Sequence, residues 1–332
     1  MPNERQASCP ADDVGVALRD ALPWDLFAGL VRRAESIGYR AVFVPEIAGR
    51  DALATLAALA GETSTVQLAT GVIPITSRTP MLTAMAGATV QERSGRLVLG
   101  LGTGPPAPGA LDRLRSLVVA LRRVFSTGEA ALDGRSLRVS LGMPAPPPVW
   151  IAALGPRAMR LAGEVADGVI LNWCTPERVA VATDEIAEGA RRAGRDPADV
   201  TVAVYVRAAL DDDHAVSLAA LKTVAGEYST YPAYARQFRR MGLGSAADRA
   251  ARAFRAGRPS DVPDELIQEV CVIGDESLAR ERLSRYRTSG ADLPVVYPVA
   301  GGSAGPATAS ERASAEIAES VGATLERLGP TA

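Results

Sequence analysis

Eight short apolar runs, at 14–17, 41–45, 66–73, 97–101, 149–153, 168–172, 201–207 and 294–297, recur along the chain. Each is hydrophobic at nearly every position rather than at alternate ones, which marks strands buried on both faces and therefore parallel. Between them, segments 24–37, 51–63, 80–93, 111–125, 156–166 and 177–193 carry apolar residues spaced by three or four, the period of a helix with one face on a core. Strand then helix, repeated, builds a parallel sheet. A doubly wound sheet uses the same alternation, but eight strands are the number that closes a (β/α)8 TIM barrel.

The punctuation agrees with the periods. Pro23 and Pro156 stand where a first helical turn tolerates proline, Asp51 is placed to cap its helix, and Gly38 follows the end of another. Two stretches exceed a minimal barrel: 128–148, which reads as a hairpin around Asp133-Gly134, and 211–270, a helical insertion after strand seven. Segment 301–306 reads as a flexible connection and 310–328 as the last helix, with one domain expected over 1–332.

With 36 basic and 38 acidic residues spread without blocks, the net charge of -2 offers no footprint for nucleic acid or an anionic membrane. A small-molecule partner is expected. No apolar run approaches the roughly 18 residues of a membrane span, and the opening residues are too polar for a secretory signal, so the expected location is cytoplasmic. Cys9, Cys174 and Cys271 are odd in number and widely spaced, which argues against a disulfide framework. His214, the only histidine, follows three aspartates and reads as a helix-start residue. A histidine metal cluster cannot be built from it, and a hydrolase triad would rest on it alone, so no metal site is expected.

Two stretches carry the chemistry. Residues 68–80 and 150–168 each run from an apolar strand through glycine or proline into a helix, which aims free backbone amides out of the carboxyl end of a parallel sheet, where phosphate-bearing cofactors bind. In the second, Ala153-Leu154-Gly155-Pro156-Arg157 sets proline at the first helical position, leaving the following amides to face outward. Strand four ends in Gly100-Leu-Gly102-Thr103-Gly104, whose glycines permit close approach of a ligand, and strand six ends in Asn172-Trp173 on the same face.

Together these stretches resemble the luciferase-like flavin and deazaflavin (F420) oxidoreductases over about Val14 to Tyr297. The resemblance implies a TIM barrel and a cis peptide at Gly71-Val72, with Val72 supporting the middle ring of the cofactor from behind. It also implies that Gly155, Pro156 and Arg157 hold the cofactor phosphate, that Gly102, Thr103, Gly104 and Asn172 line the cofactor, and that the protein is a homodimer. Tyr228, Tyr231 and Tyr234 lie in a segment similar to the deazaflavin branch; Trp173 and Tyr231 are the expected substrate contacts.

The pattern also departs from the family. Many deazaflavin members carry histidine after strand two and glutamate after the strand-four glycines; here Glu46-Ile47 and Pro105 stand there. Glu46 is the remaining carboxylate at the mouth and the expected acid or base, with pairing to Arg50 as the plain alternative. The segment 103–111 looks shorter than its counterpart, which suits a bulky substrate such as a biosynthetic intermediate or modified peptide. The leading expectation is an F420-dependent oxidoreductase acting on an activated C=C or C=N bond. The alternatives are an FMN-dependent monooxygenase using oxygen and a flavin-binding barrel without turnover.

Overall fold

The computed structural model describes residues 13–19, 22–210, 212–300 and 311–330, with only the backbone of 311 and 312; Cys9, Asp211, Ser310 and the expected connection at 301–306 lie outside the described residues. In chain order the elements begin β1 (Gly15–Ala17), α1 (Trp24–Ile37), β2 (Ala41–Val44), α2 (Ala52–Leu59), β3 (Gln67–Thr70), β4 (Ile73–Pro74), α3 (Pro80–Ser94), β5 (Leu97–Gly102) and α4 (Ala110–Thr127). They continue through β6 (Glu129–Leu132), β7 (Arg135–Arg138), β8 (Val149–Ala153), α5 (Pro156–Val165), β9 (Gly168–Asn172), α6 (Pro176–Arg192) and β10 (Thr201–Ala209). The insertion helices α7 (His214–Ser229), α8 (Pro232–Arg240), α9 (Gly244–Arg255) and α10 (Asp264–Val270) precede β11 (Cys271–Ile273), α11 (Glu276–Thr288), β12 (Leu293–Pro298) and α12 (Glu311–Leu328).

Strands β12, β1, β2, β3, β5, β8, β9 and β10 pair in that order, all parallel, and β10 closes the ring on β12. The protein is a (β/α)8 barrel. Along each strand alternate residues face opposite ways. On β10, Ala203 and Tyr205 join Phe43, Trp150, Val295 and Tyr297 in the barrel interior, while Val204 and Val206 belong to the layer packed under the helices.

Helix boundaries follow the residues that cap them. Asp51 accepts from the Ala54 N–H at 2.8 Å and starts α2, and Asp213 likewise caps α7, which begins at His214. Gly38, in a left-handed conformation, ends α1. Asp133 and Gly134 both have positive φ, which suits the tight turn joining β6 to β7. Helix α5 presses on α6 so closely that a Cβ at Gly163 would lie 2.0 Å from the Ile186 carbonyl oxygen, which fixes the direction in which α5 begins.

The structure departs from the sequence reading in three places. The third run is split: β3 stops at Thr70, the Gly71-Val72 peptide is cis as the resemblance implies, and β4 resumes on β5. The α2 helix ends at Leu59 rather than at 63, where the chain turns through Gly61. Helix α11 and the short strand β11 were not among the expected elements; α11 is so rich in arginine and glutamate that its buried stripe is thin, with Ala279, Leu283 and Tyr286 inside.

Candidate active site

The carboxyl ends of the barrel strands form a mouth under the insertion helices. Its floor comes from β3, β4 and β5. Thr70 Oγ1 donates to the Gly100 carbonyl and accepts from its N–H, both at 2.8 Å, tying the end of β3 to β5. The Val72 side chain then lies over the β5 glycines: a Cβ at Gly102 would stand 2.8 Å from Val72 Cγ2, and one at Gly100 3.2 Å from Cγ1. Only glycine leaves room there. Tyr205 OH donates to the Gly71 carbonyl at 3.3 Å. Gly104, at φ 70°, turns the chain against Thr76, and Thr103 Oγ1 donates to the Gly104 carbonyl.

The second part is the start of α5. Ala153 is buried at the end of β8, Leu154 and Gly155 form the turn, Pro156 opens the helix, and Gly155 supplies no side-chain cap. The first-turn amides therefore keep the outward aim that makes a helix start attract anions. Arg157 projects from this turn, exposed. Arg240, at the end of α8, brings both terminal guanidinium nitrogens to 3.6 Å from the position of a Cβ on Gly155. Among the described residues neither arginine forms an ion pair. Arg240 was missed by the sequence reading because it lies far along the chain and carries no local signal. An uncapped helix start flanked by two uncommitted guanidiniums fits a phosphate-bearing group.

The third part hangs from β9, β10 and β12. Asn172 Oδ1 accepts from Arg207 Nη1, while its Nδ2 donates to Tyr234 OH at 3.0 Å. Arg207 follows the inward series Ala203, Tyr205 on β10 and is 2% exposed. Its guanidinium carbon is 4.2 Å from the Tyr297 ring centre, 4.8 Å from Trp173 and 5.3 Å from Tyr228. An arginine at an inward position of an otherwise apolar strand was the available signal, and it was overlooked. Trp173, at φ 52°, is 1% exposed and packs against Phe238 and Tyr228 in the insertion core, so it stands behind Arg207. Tyr231 is exposed and its OH donates to Glu227 at 2.8 Å; that bond, with some burial, pushes its pKa up to about 12. Burial raises Tyr234 and Tyr205 as well.

Glu46 sits beside this mouth within a hydrogen-bonded cluster. Its carboxylate accepts from Ser77 Oγ at 2.8 Å, from the Ala52 N–H at 3.2 Å and from Arg78 Nη1 at 3.3 Å, and Arg78 also pairs with Asp51. The sequence alternative was pairing with Arg50, whose guanidinium instead donates to the Leu22 carbonyl and lies over Trp24 and Phe27. Cys174 and Cys271 are buried, and burial pushes both thiols up to about 12.

The luciferase-like monooxygenase family model matches residues 11–293, and the chain belongs to that family. A Mycobacterium tuberculosis protein whose provisional name is coenzyme F420-dependent oxidoreductase is 29% identical over 317 residues, covering 83% of this chain and 91% of its own. The 5,10-methylenetetrahydromethanopterin reductase of Archaeoglobus fulgidus is 29% identical over 305 residues, covering 83% and 89%. Among solved structures, the coenzyme F420-dependent tetrahydromethanopterin reductase of Methanopyrus kandleri superposes with TM-score 0.72 at 21% identity, covering 94% of this chain and 97% of that one.

Proposed function

We propose that the protein is an F420-dependent oxidoreductase that passes a hydride between the deazaflavin and an activated C=C or C=N bond of a bulky substrate. The uncapped start of α5 between Arg157 and Arg240, at the same barrel end as the Val72 shelf, is the observation that carries the reading. Relatives named for coenzyme F420 support it.

A deazaflavin held here would supply hydride chemistry at its C5. Val72 would back the ring, Gly102, Thr103 and Gly104 would let it lie close to backbone, and the turn from Ala153 through Leu154 and Gly155 to Pro156, with the two arginines, would hold the phosphate. Fixing both ring and tail orients the reacting carbon, and the insertion aromatics keep water from it. Tyr231, exposed and donating its hydroxyl to Glu227, is the group we assign to proton exchange with substrate. Glu46, already bound to Arg78, serves to anchor the loops at the mouth. The same reading takes the protein to be a cytoplasmic homodimer, with exposed Leu82 and Met85 on α3 offering an apolar patch to the second copy.

The test is anaerobic: reduced F420 is mixed with the protein and a series of enones and imines. Return of the oxidised deazaflavin absorbance that depends on the acceptor supports the proposal. Turnover that requires FMN and oxygen instead would make the protein a monooxygenase.

A further inference from the structure

Burying a guanidinium without a counter-charge is costly, because its hydration is lost and no carboxylate replaces it. Arg207 is such a group. It is 2% exposed, no carboxylate lies within 4 Å of it among the described residues, and its Nε has no hydrogen-bond partner. The Asn172 amide and the faces of Tyr297, Trp173 and Tyr228 offset part of that cost. None of them brings negative charge.

Arg207 also lines a small cavity together with Arg19, Ile47, Val224, Tyr228 and Tyr297. Arg19 leaves the carboxyl end of β1, is exposed, and likewise forms no ion pair among the described residues. Two guanidiniums thus share one cavity whose other walls are apolar and aromatic. Of the carboxylates next to cavity-lining residues, Glu227 accepts from the Tyr231 hydroxyl, and Glu46 is bound by Arg78, Ser77 and the start of α2.

We infer that Arg207 and Arg19 bind an oxyanion, the carboxylate or phosphate-ester head of a larger molecule, and that this anion marks the substrate of the enzyme. The cavity is separate from the start of α5: Arg207 descends from β10, whereas Arg157 and Arg240 flank the turn after β8. Calling the bound anion a substrate rests on the oxidoreductase reading; the anion site itself does not.

The experiment titrates benzoate, phenyl phosphate and the neutral benzyl alcohol into the full-length protein by calorimetry at constant ionic strength, with F420 affinity measured on the same samples. Both anions are expected to bind at least about tenfold more tightly than the alcohol, since hydrogen bonds to a charged group are worth about 1.5–3 kcal/mol. Arg207→Gln should weaken anion binding about tenfold and Arg19→Gln at least about threefold, with F420 affinity unchanged within about twofold. Preference for benzoate identifies a carboxylate site and preference for phenyl phosphate a phosphate-ester site. If Arg207→Gln does not fold, Arg19→Gln decides. Equal binding of the alcohol, anion affinity unchanged in the variants, or a loss of F420 affinity matching the loss of anion affinity would overturn the inference. Arginine-dependent anion binding without any F420 binding would leave the anion site standing and remove the oxidoreductase reading.

Discussion

Arg207 and Tyr297 are register partners on neighbouring strands, and the guanidinium carbon stands 4.2 Å from the centre of the tyrosine ring. The strand pairing holds the ring under the charge, and Asn172 holds one nitrogen from the side. Replacing Asn172 by leucine removes that hold and also frees Tyr234. Asn172→Leu is expected to raise KM for the electron acceptor about tenfold with a smaller change in kcat, because the loss is of orientation in binding. Steady-state kinetics with F420 saturating checks it. An unchanged KM would show that Arg207 keeps its place without Asn172.

The turn after β3 tests packing at the floor of the site. A methyl group at Gly71 would meet the Tyr205 hydroxyl at 2.0 Å and the Phe43 Cβ at 2.9 Å. Gly71→Ala should therefore destabilise the protein by about 1–3 kcal/mol, the range for overpacking a filled core. Removing the hydroxyl with Tyr205→Phe in the same chain should recover part of that loss, measured by denaturant unfolding. No recovery would mean that Phe43 rather than Tyr205 sets the limit.

Much of this was legible in the residues. The eight apolar runs became the eight barrel strands because a strand buried on both faces has no polar positions to hide. The turns at Gly38, Asp51 and Asp133-Gly134 carried their own conformational demands. Arg240 and Arg78 were not legible, since each matters through a residue distant in sequence: Arg240 through Gly155, Arg78 through Glu46. Trp173, just past the end of β9 and at positive φ, packs into the core of the insertion helices. No local pattern announces that turn at a tryptophan.

Glu46 separates an anchoring role from a chemical one. Both Glu46 and Arg78 are largely buried, but Arg78 keeps Asp51 when Glu46 is lost. Glu46→Gln should cost about 1–2 kcal/mol of stability, less than for an isolated buried pair, and leave the pH profile of kcat in place. A profile that loses one limb would return Glu46 to the proton-transfer step.

Glu35 offers a test by pH. Burial works to raise its pKa, but hydrogen bonds from the Thr65, Val66 and Ser64 N–H groups and the Thr65 hydroxyl outweigh it, leaving the folded-state value below 4.5. A lowered folded-state pKa means stability that is complete above the unfolded value and lost as pH falls through the folded one. The gap in Tm between the protein and Glu35→Gln should be clear near about pH 7 and shrink in strongly acid solution. A gap that is constant with pH would assign the effect to packing alone.

The proposed deazaflavin lies with its ring against Val72 and its phosphate at the start of α5. The most direct test is equilibrium titration with F420, with its chromophore lacking the phosphodiester tail, and with FMN, for the protein and for Arg240→Gln. F420 is expected to bind at least about tenfold more tightly than FMN, and Arg240→Gln is expected to weaken F420 while sparing the tailless chromophore. Tight FMN binding without F420 binding, or equal weakening of both deazaflavins by Arg240→Gln, would contradict that placement.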